Sequence, residues 1–170
     1  MRNLLLAAAL LAALPALADS NRIRTRLSGA EEVPAVATRA SGTFAAQLSS
    51  DRLSIEYELS FSGLQAPVTQ AHIHVAQRDV NGGIVIWLCG SSSLPGPVGT
   101  PPCPQEGTVN GLITSANVLA VGAQQVGAGG LSAVLDAMRS GLAYVNVHTT
   151  ASPGGEIRGQ IGEGAFAPGT

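Results

Sequence analysis

Lysine is absent from the 170 residues, and the basic side chains are nine scattered arginines. Tracking a phosphate backbone needs a clustered basic face, so nucleic acid is excluded as a partner. Aromatic residues make up only 4 % of the chain, which excludes a stacking surface for sugar rings and leaves the one tryptophan, Trp87, to be read as core. No Gly-x-Ser-x-Gly elbow, phosphate loop or His-Glu-x-x-His motif occurs, so the common hydrolase, nucleotide and zincin chemistries find no footing. The two cysteines, Cys89 and Cys103, stand too far apart for a CxxC redox motif. The acidic pairs Glu31-Glu32 and Glu56 with Glu58 read as surface charge, the second pair lying on the polar side of an alternating strand.

What is present begins with an export signal. Met1-Arg2-Asn3 is a short positive start, residues 4–17 are apolar and uncharged, and Ala16-Leu17-Ala18 has the small-residue spacing of a signal-peptidase site. Residues 1–18 therefore read as a signal peptide. The apolar run is too short for a membrane span, and the mature chain is expected to be periplasmic or extracellular with no span of its own. Without Arg2, eight arginines face eleven carboxylates, a net charge of −3. In an oxidising compartment Cys89 and Cys103 are expected to pair, closing a loop of Gly, Ser and Pro. Such a crosslink stabilises by about 3 kcal/mol in the chain-entropy picture. Reduced, a cysteine would instead be free to join a metal site.

The rest of the chain alternates as strands do. Arg22, Arg24 and Arg26 interleave with Ile23, Thr25 and Leu27, a charged face suited to blunting a sheet edge. Residues 42–48 turn Phe44, Ala46 and Leu48 inward, and residues 52–61 do the same with Leu53, Ile55, Tyr57, Leu59 and Phe61. Asn81-Gly82-Gly83 marks a hairpin into residues 84–88, whose apolar character on both faces predicts a central strand. Residues 107–120 begin as strand and end as turn. Residues 131–138 carry the only helical period, stopped by Ser140-Gly141. Residues 142–149 and 156–161 form a last hairpin, with Glu156, Arg158 and Gln160 outward, and 162–170 form a tail. Seven or eight short strands with one helix near 131–139 predict an all-β antiparallel Greek-key sandwich or barrel spanning 19–161.

All three histidines fall on two of these strands. In Ala71-His72-Ile73-His74, His72 and His74 share a face while Ile73 points into the core. In Tyr144-Val145-Asn146-Val147-His148-Thr149, His148 shares a face with Asn146 and Tyr144. If the strands are neighbours, three imidazoles converge. Neutral imidazoles suit one copper or zinc ion, and two readings stay open. The three histidines hold that metal, or they hydrogen-bond to Asn146, Thr149 and Glu156 or Arg158 and knit the last hairpin to the centre of the sheet.

Leu27-Ser28-Gly29-Ala30-Glu31-Glu32-Val33-Pro34, Ala71-His72-Ile73-His74, Ala143-Tyr144-Val145-Asn146-Val147-His148-Thr149 and Gly154-Gly155-Glu156-Ile157-Arg158-Gly159-Gln160-Ile161 together resemble the CHRD domain. This secreted all-β family is named for the extracellular growth-factor antagonist chordin, and it occurs alone in many bacterial exported proteins. The resemblance covers residues 24–161. It implies fold and export and assigns no activity; the protein partner stays unknown. A weaker resemblance is to copper-zinc superoxide dismutase, another Greek-key sandwich. It implies copper ligands at His72, His74 and His148, and a substrate-guiding role for Arg158. With three histidines in all, its two-metal site cannot be built. The reading is a non-catalytic exported binding or structural module with a candidate three-histidine copper or zinc site, the alternatives being a dismutase-like copper enzyme and a protein-interaction module without metal.

Overall fold

The computed structural model describes residues 21–162. The signal peptide read at 1–18 lies outside these residues, as does the tail beyond Gly162. Eight strands form one antiparallel sheet: β1 (Arg22–Ser28), β2 (Ser41–Leu48), β3 (Ser54–Ser62), β4 (Val68–Val75), β5 (Gly83–Gly90), β6 (Gly107–Thr114), β7 (Ala143–Thr149) and β8 (Ile157–Ile161). Their order is β5-β4-β7-β8-β1-β2-β3-β6, and the sheet curls into a nearly closed barrel with β5 and β6 at the seam.

Period-two patterning makes the barrel. Phe44, Leu59, Ile73, Ile86, Val145, Val147 and Ile157 all face one continuous core and are fully buried. One short helix, α1 (Leu131–Arg139), adds Leu131, Val134, Leu135 and Met138 to it. The helix stops where Gly141 takes a positive φ of 71°, a conformation that favours glycine.

Tyr57 closes the seam. From β3 its ring lies across Gly111 of β6, and its hydroxyl donates to the Leu88 carbonyl of β5 at 2.6 Å. A Cβ at residue 111 would stand 2.5 Å from that ring, so glycine makes the passage. Burial pushes the phenol up to about 12, which keeps it a donor. A cleft of about 130 Å³ lined by Tyr57, Trp87, Pro101, Asn110 and Gly111 runs beside it. The disulfide joins Cys89 at the end of β5 to Cys103.

Several expectations are corrected. β5 ends the sheet order instead of lying at its centre; on its second face the Gly96 turn lies against Trp87, and the Leu119 N–H bonds to the Val85 backbone carbonyl. β1 lies between β8 and β2, so its arginines cover a solvated face and guard no edge. Leu53 sits in the turn before β3 and is exposed, because Arg52 takes a positive φ of 60° that breaks the alternation. β4 and β5 do form a hairpin, joined by residues 76–82.

β7 is buried along its whole length, and no residue of β4 or β8 is exposed. One face is the barrel core. The other is roofed by residues 29–40, 76–82 and 150–155, so Glu156 and Arg158, expected outward, are 0 % and 1 % exposed. An Arg78–Glu31 ion pair and an Asn81 side-chain bond to the Val33 carbonyl tie two of these roof segments together.

Candidate metal centre

β4 and β7 are neighbours, with His72 opposite Asn146 and His74 opposite Tyr144. The histidines therefore meet under the roof, on the side of the sheet away from the core. Their ligating nitrogens lie within 4.8 Å of one another, and the three residues are at most 6 % exposed.

The contacts form a short chain of atoms. His72 Nδ1 lies 3.2 Å from His148 Nε2, which lies 2.9 Å from Asn146 Oδ1; that oxygen lies 3.1 Å from His74 Nε2. On their far sides His74 Nδ1 meets the Gly82 carbonyl at 2.9 Å and His148 Nδ1 meets the Pro153 carbonyl at 3.0 Å. A carbonyl only accepts, so both Nδ1 atoms carry the proton and both Nε2 atoms present lone pairs inward. Gly82 is held on both sides, since its N–H donates to the Tyr144 hydroxyl, and a side chain there would collide with the Val75 carbonyl oxygen.

Burial keeps the imidazoles neutral. It holds His72 at about 2, helped by the neighbouring His148 and His74, and His74 at about 4 against the pull of its Gly82 bond. Burial lowers His148 as well. The four inward atoms, His72 Nδ1, His74 Nε2, His148 Nε2 and Asn146 Oδ1, thus share at most one proton among three close contacts. Such a cluster has the composition of a cation site, and neutral imidazole nitrogens are good donors to Zn(II) and Cu(II).

Aromatic rings wall the site. Trp87 meets His72 edge-on with ring centres 4.3 Å apart, so it belongs to the histidine face and not to the core, because its register on β5 sets it opposite His72. Tyr144 stacks on His74 with centres 4.6 Å apart, and the Arg158 guanidinium lies 3.4 Å above the other face of that ring. Arg158 also donates to Asn81 Oδ1 and to the Val80 carbonyl. Thr149 and Glu156 bond to each other and not to the histidines: Glu156 accepts from Thr149, from Thr38 and from the Gln65 N–H, anchoring the roof.

Glu32, read as surface charge, is 6 % exposed and lies beside Asn146 and Arg158. Burial pushes its carboxyl up to about 7; the Arg158 charge, the Val33 N–H and the Asn146 amide pull the other way. No periodic signal marks it, since it follows a single 3-10 turn in the roof and not a strand. Trp87 was readable in principle from the hairpin register, although not from composition.

Comparison with curated proteins and with solved structures gave no match. The family model of the CHRD domain matches residues 23–161, from the second residue of β1 to the last of β8. On that match the chain belongs to the CHRD family.

Proposed function

We propose that this CHRD domain is an exported binding module that holds one copper or zinc ion through His72, His74 and His148. The observation that carries the reading is the proton shortage: two imidazoles committed to backbone carbonyls turn lone pairs toward the same Asn146 oxygen, and one of them also toward the third imidazole, in a buried place where added protons are disfavoured. The intramolecular disulfide and the family agree with an extracytoplasmic setting.

A purely hydrogen-bonded knot is the competing reading, and the contacts between β4 and β7 favour it to this extent: an Asn146 amide turned over would offer both imidazoles a donor. Its oxygen would then face Glu32, an arrangement that holds only while Glu32 keeps its proton. The dismutase reading asks for an arginine open to an anion, whereas Arg158 is 1 % exposed and engaged by Asn81, Val80 and Tyr144.

Metal titration of the mature protein tests the proposal. Trp87 is the one tryptophan and touches His72, so Cu(II) should quench its emission with an end point of one ion per chain, and His74→Ala should abolish that end point. Binding of one ion unchanged by His74→Ala rejects the site.

A further inference from the structure

The metal reading leaves open what completes the coordination shell, and the orientation of one amide bears on it. We propose that Asn146 supplies the fourth ligand through Oδ1, with Glu32 as the positioning residue that turns this oxygen toward the histidines, making a closed three-nitrogen, one-oxygen site for a divalent ion. The inference rests on the three-histidine reading and goes beyond it in donor set, metal class and role.

The distances fit. Nitrogen and oxygen donors bind zinc at about 2.0–2.1 Å, so two ligands of a tetrahedral ion stand roughly 3.3 Å apart. The successive gaps along His72 Nδ1, His148 Nε2, Asn146 Oδ1 and His74 Nε2 are 3.2, 2.9 and 3.1 Å. To admit an ion these three pairs must open by a few tenths of an ångström, and the histidine nitrogens, which lie within 4.8 Å of one another, must draw in where they stand wider than about 3.3 Å.

The orientation has a separate cause. Asn146 is 2 % exposed, and its amide nitrogen lies on the side of Glu32 and Gly155. A side chain at Gly155, whose φ is 126°, would collide with both Glu32 Oε1 and Asn146 Nδ2. Both atoms border the same glycine, and a carboxylate at that position would accept from the amide NH2, which leaves Oδ1 pointing the other way. Glu32 Oε1 is a buried oxygen with no hydrogen-bond partner among the described residues, so it is open to the amide NH2, and Arg158 supplies the charge beside it. Support runs from Arg158 through Glu32 and Asn146 toward the ion, the outer-shell arrangement by which proteins aim their ligands.

Metal class and role follow. A carboxamide oxygen suits Zn(II) or Cu(II) better than Cu(I), which favours sulfur. The sulfur donors among the described residues are committed elsewhere, Met138 to the core and both cysteines to the disulfide. Four protein ligands leave no open position, which is the mark of a structural and not a catalytic ion.

The test uses the mature protein at pH 8 with Co(II) and Zn(II) alone as probes. The wild type should show the intense visible bands of four-coordinate Co(II), and Zn(II) should raise its melting temperature. Asn146→Ala should still bind, at least tenfold more weakly and with a changed Co(II) spectrum. Glu32→Gln should lose about 10- to 100-fold in affinity, as outer-shell changes do. Adding Asn146→Asp to Glu32→Gln should restore binding, because a carboxylate has an oxygen on each side and needs no aiming. An Asn146→Ala variant with wild-type affinity and spectrum overturns the fourth ligand while leaving the histidine site standing. A double variant no tighter than Glu32→Gln alone overturns the positioning role. A wild type that takes up neither ion removes both readings together.

Discussion

Acidifying the metal-free protein from pH 6.5 to 5 should weaken the fold by about 2 kcal/mol, a magnitude set by which state takes up protons. A histidine in the unfolded chain titrates near 6.5. In the fold His72 is held at about 2 and His74 at about 4, so both stay neutral across the interval while the unfolded chain gains a proton at each. Each proton costs the fold about 1.4 kcal/mol per pH unit, hence about 2 kcal/mol per histidine over the interval and about 4 for the pair. His148 is lowered too and adds to the loss. Glu32 opposes it. With its folded value raised to about 7 from 4.5, its contribution is fully present below 4.5 and lost as pH rises through 7, so acidification across this interval restores about 2 kcal/mol. The remainder corresponds to a fall of about 4–8 °C in Tm for a chain of this size. Thermal melts followed by circular dichroism in chelator would measure it. Glu32→Gln removes the opposing contribution and should roughly double the fall. A wild-type Tm that holds level or rises between pH 6.5 and 5 would refute the reasoning, since the imidazoles would then be charged inside the fold.

Two further outcomes test how the barrel is closed. Gly111→Ala should destabilise by about 1–3 kcal/mol in urea unfolding, because its methyl group displaces the Tyr57 ring and with it the bond to Leu88; an unchanged midpoint would show that the seam does not depend on that ring. Replacing Cys89 and Cys103 together with serine should cost about 3 kcal/mol, the loop-closure entropy of a crosslink spanning 14 positions, and adding a reducing agent to the wild type should reproduce the loss.

Strand identity was legible wherever one face met water. Phe44, Ala46 and Leu48, or Ile55, Tyr57, Leu59 and Phe61, alternate with small or polar neighbours, and each set is buried as its period requires. The same logic misled at β5, where apolar residues on both faces suggested a central strand. Local sequence cannot distinguish cover by neighbouring strands from cover by a loop. It misled again at Glu156 and Arg158, which alternate outward from the core but lie under the roof.

The chain by itself determined seven or eight short strands, the short helix and the common face of His72 with His74, because these depend on periods of two and 3.6 residues that neighbours in sequence impose on one another. Only the tertiary structure decided that β4 lies beside β7, that residues 29–40 fold over the pair, and that Glu32 arrives next to Asn146. The strand pairing joins residues 68 to 81 positions apart, and the position of Glu32 depends on a roof segment with no repeat of its own. Neither leaves a local pattern to read, since what holds them is burial and hydrogen bonding between parts of the chain that meet only once it has folded.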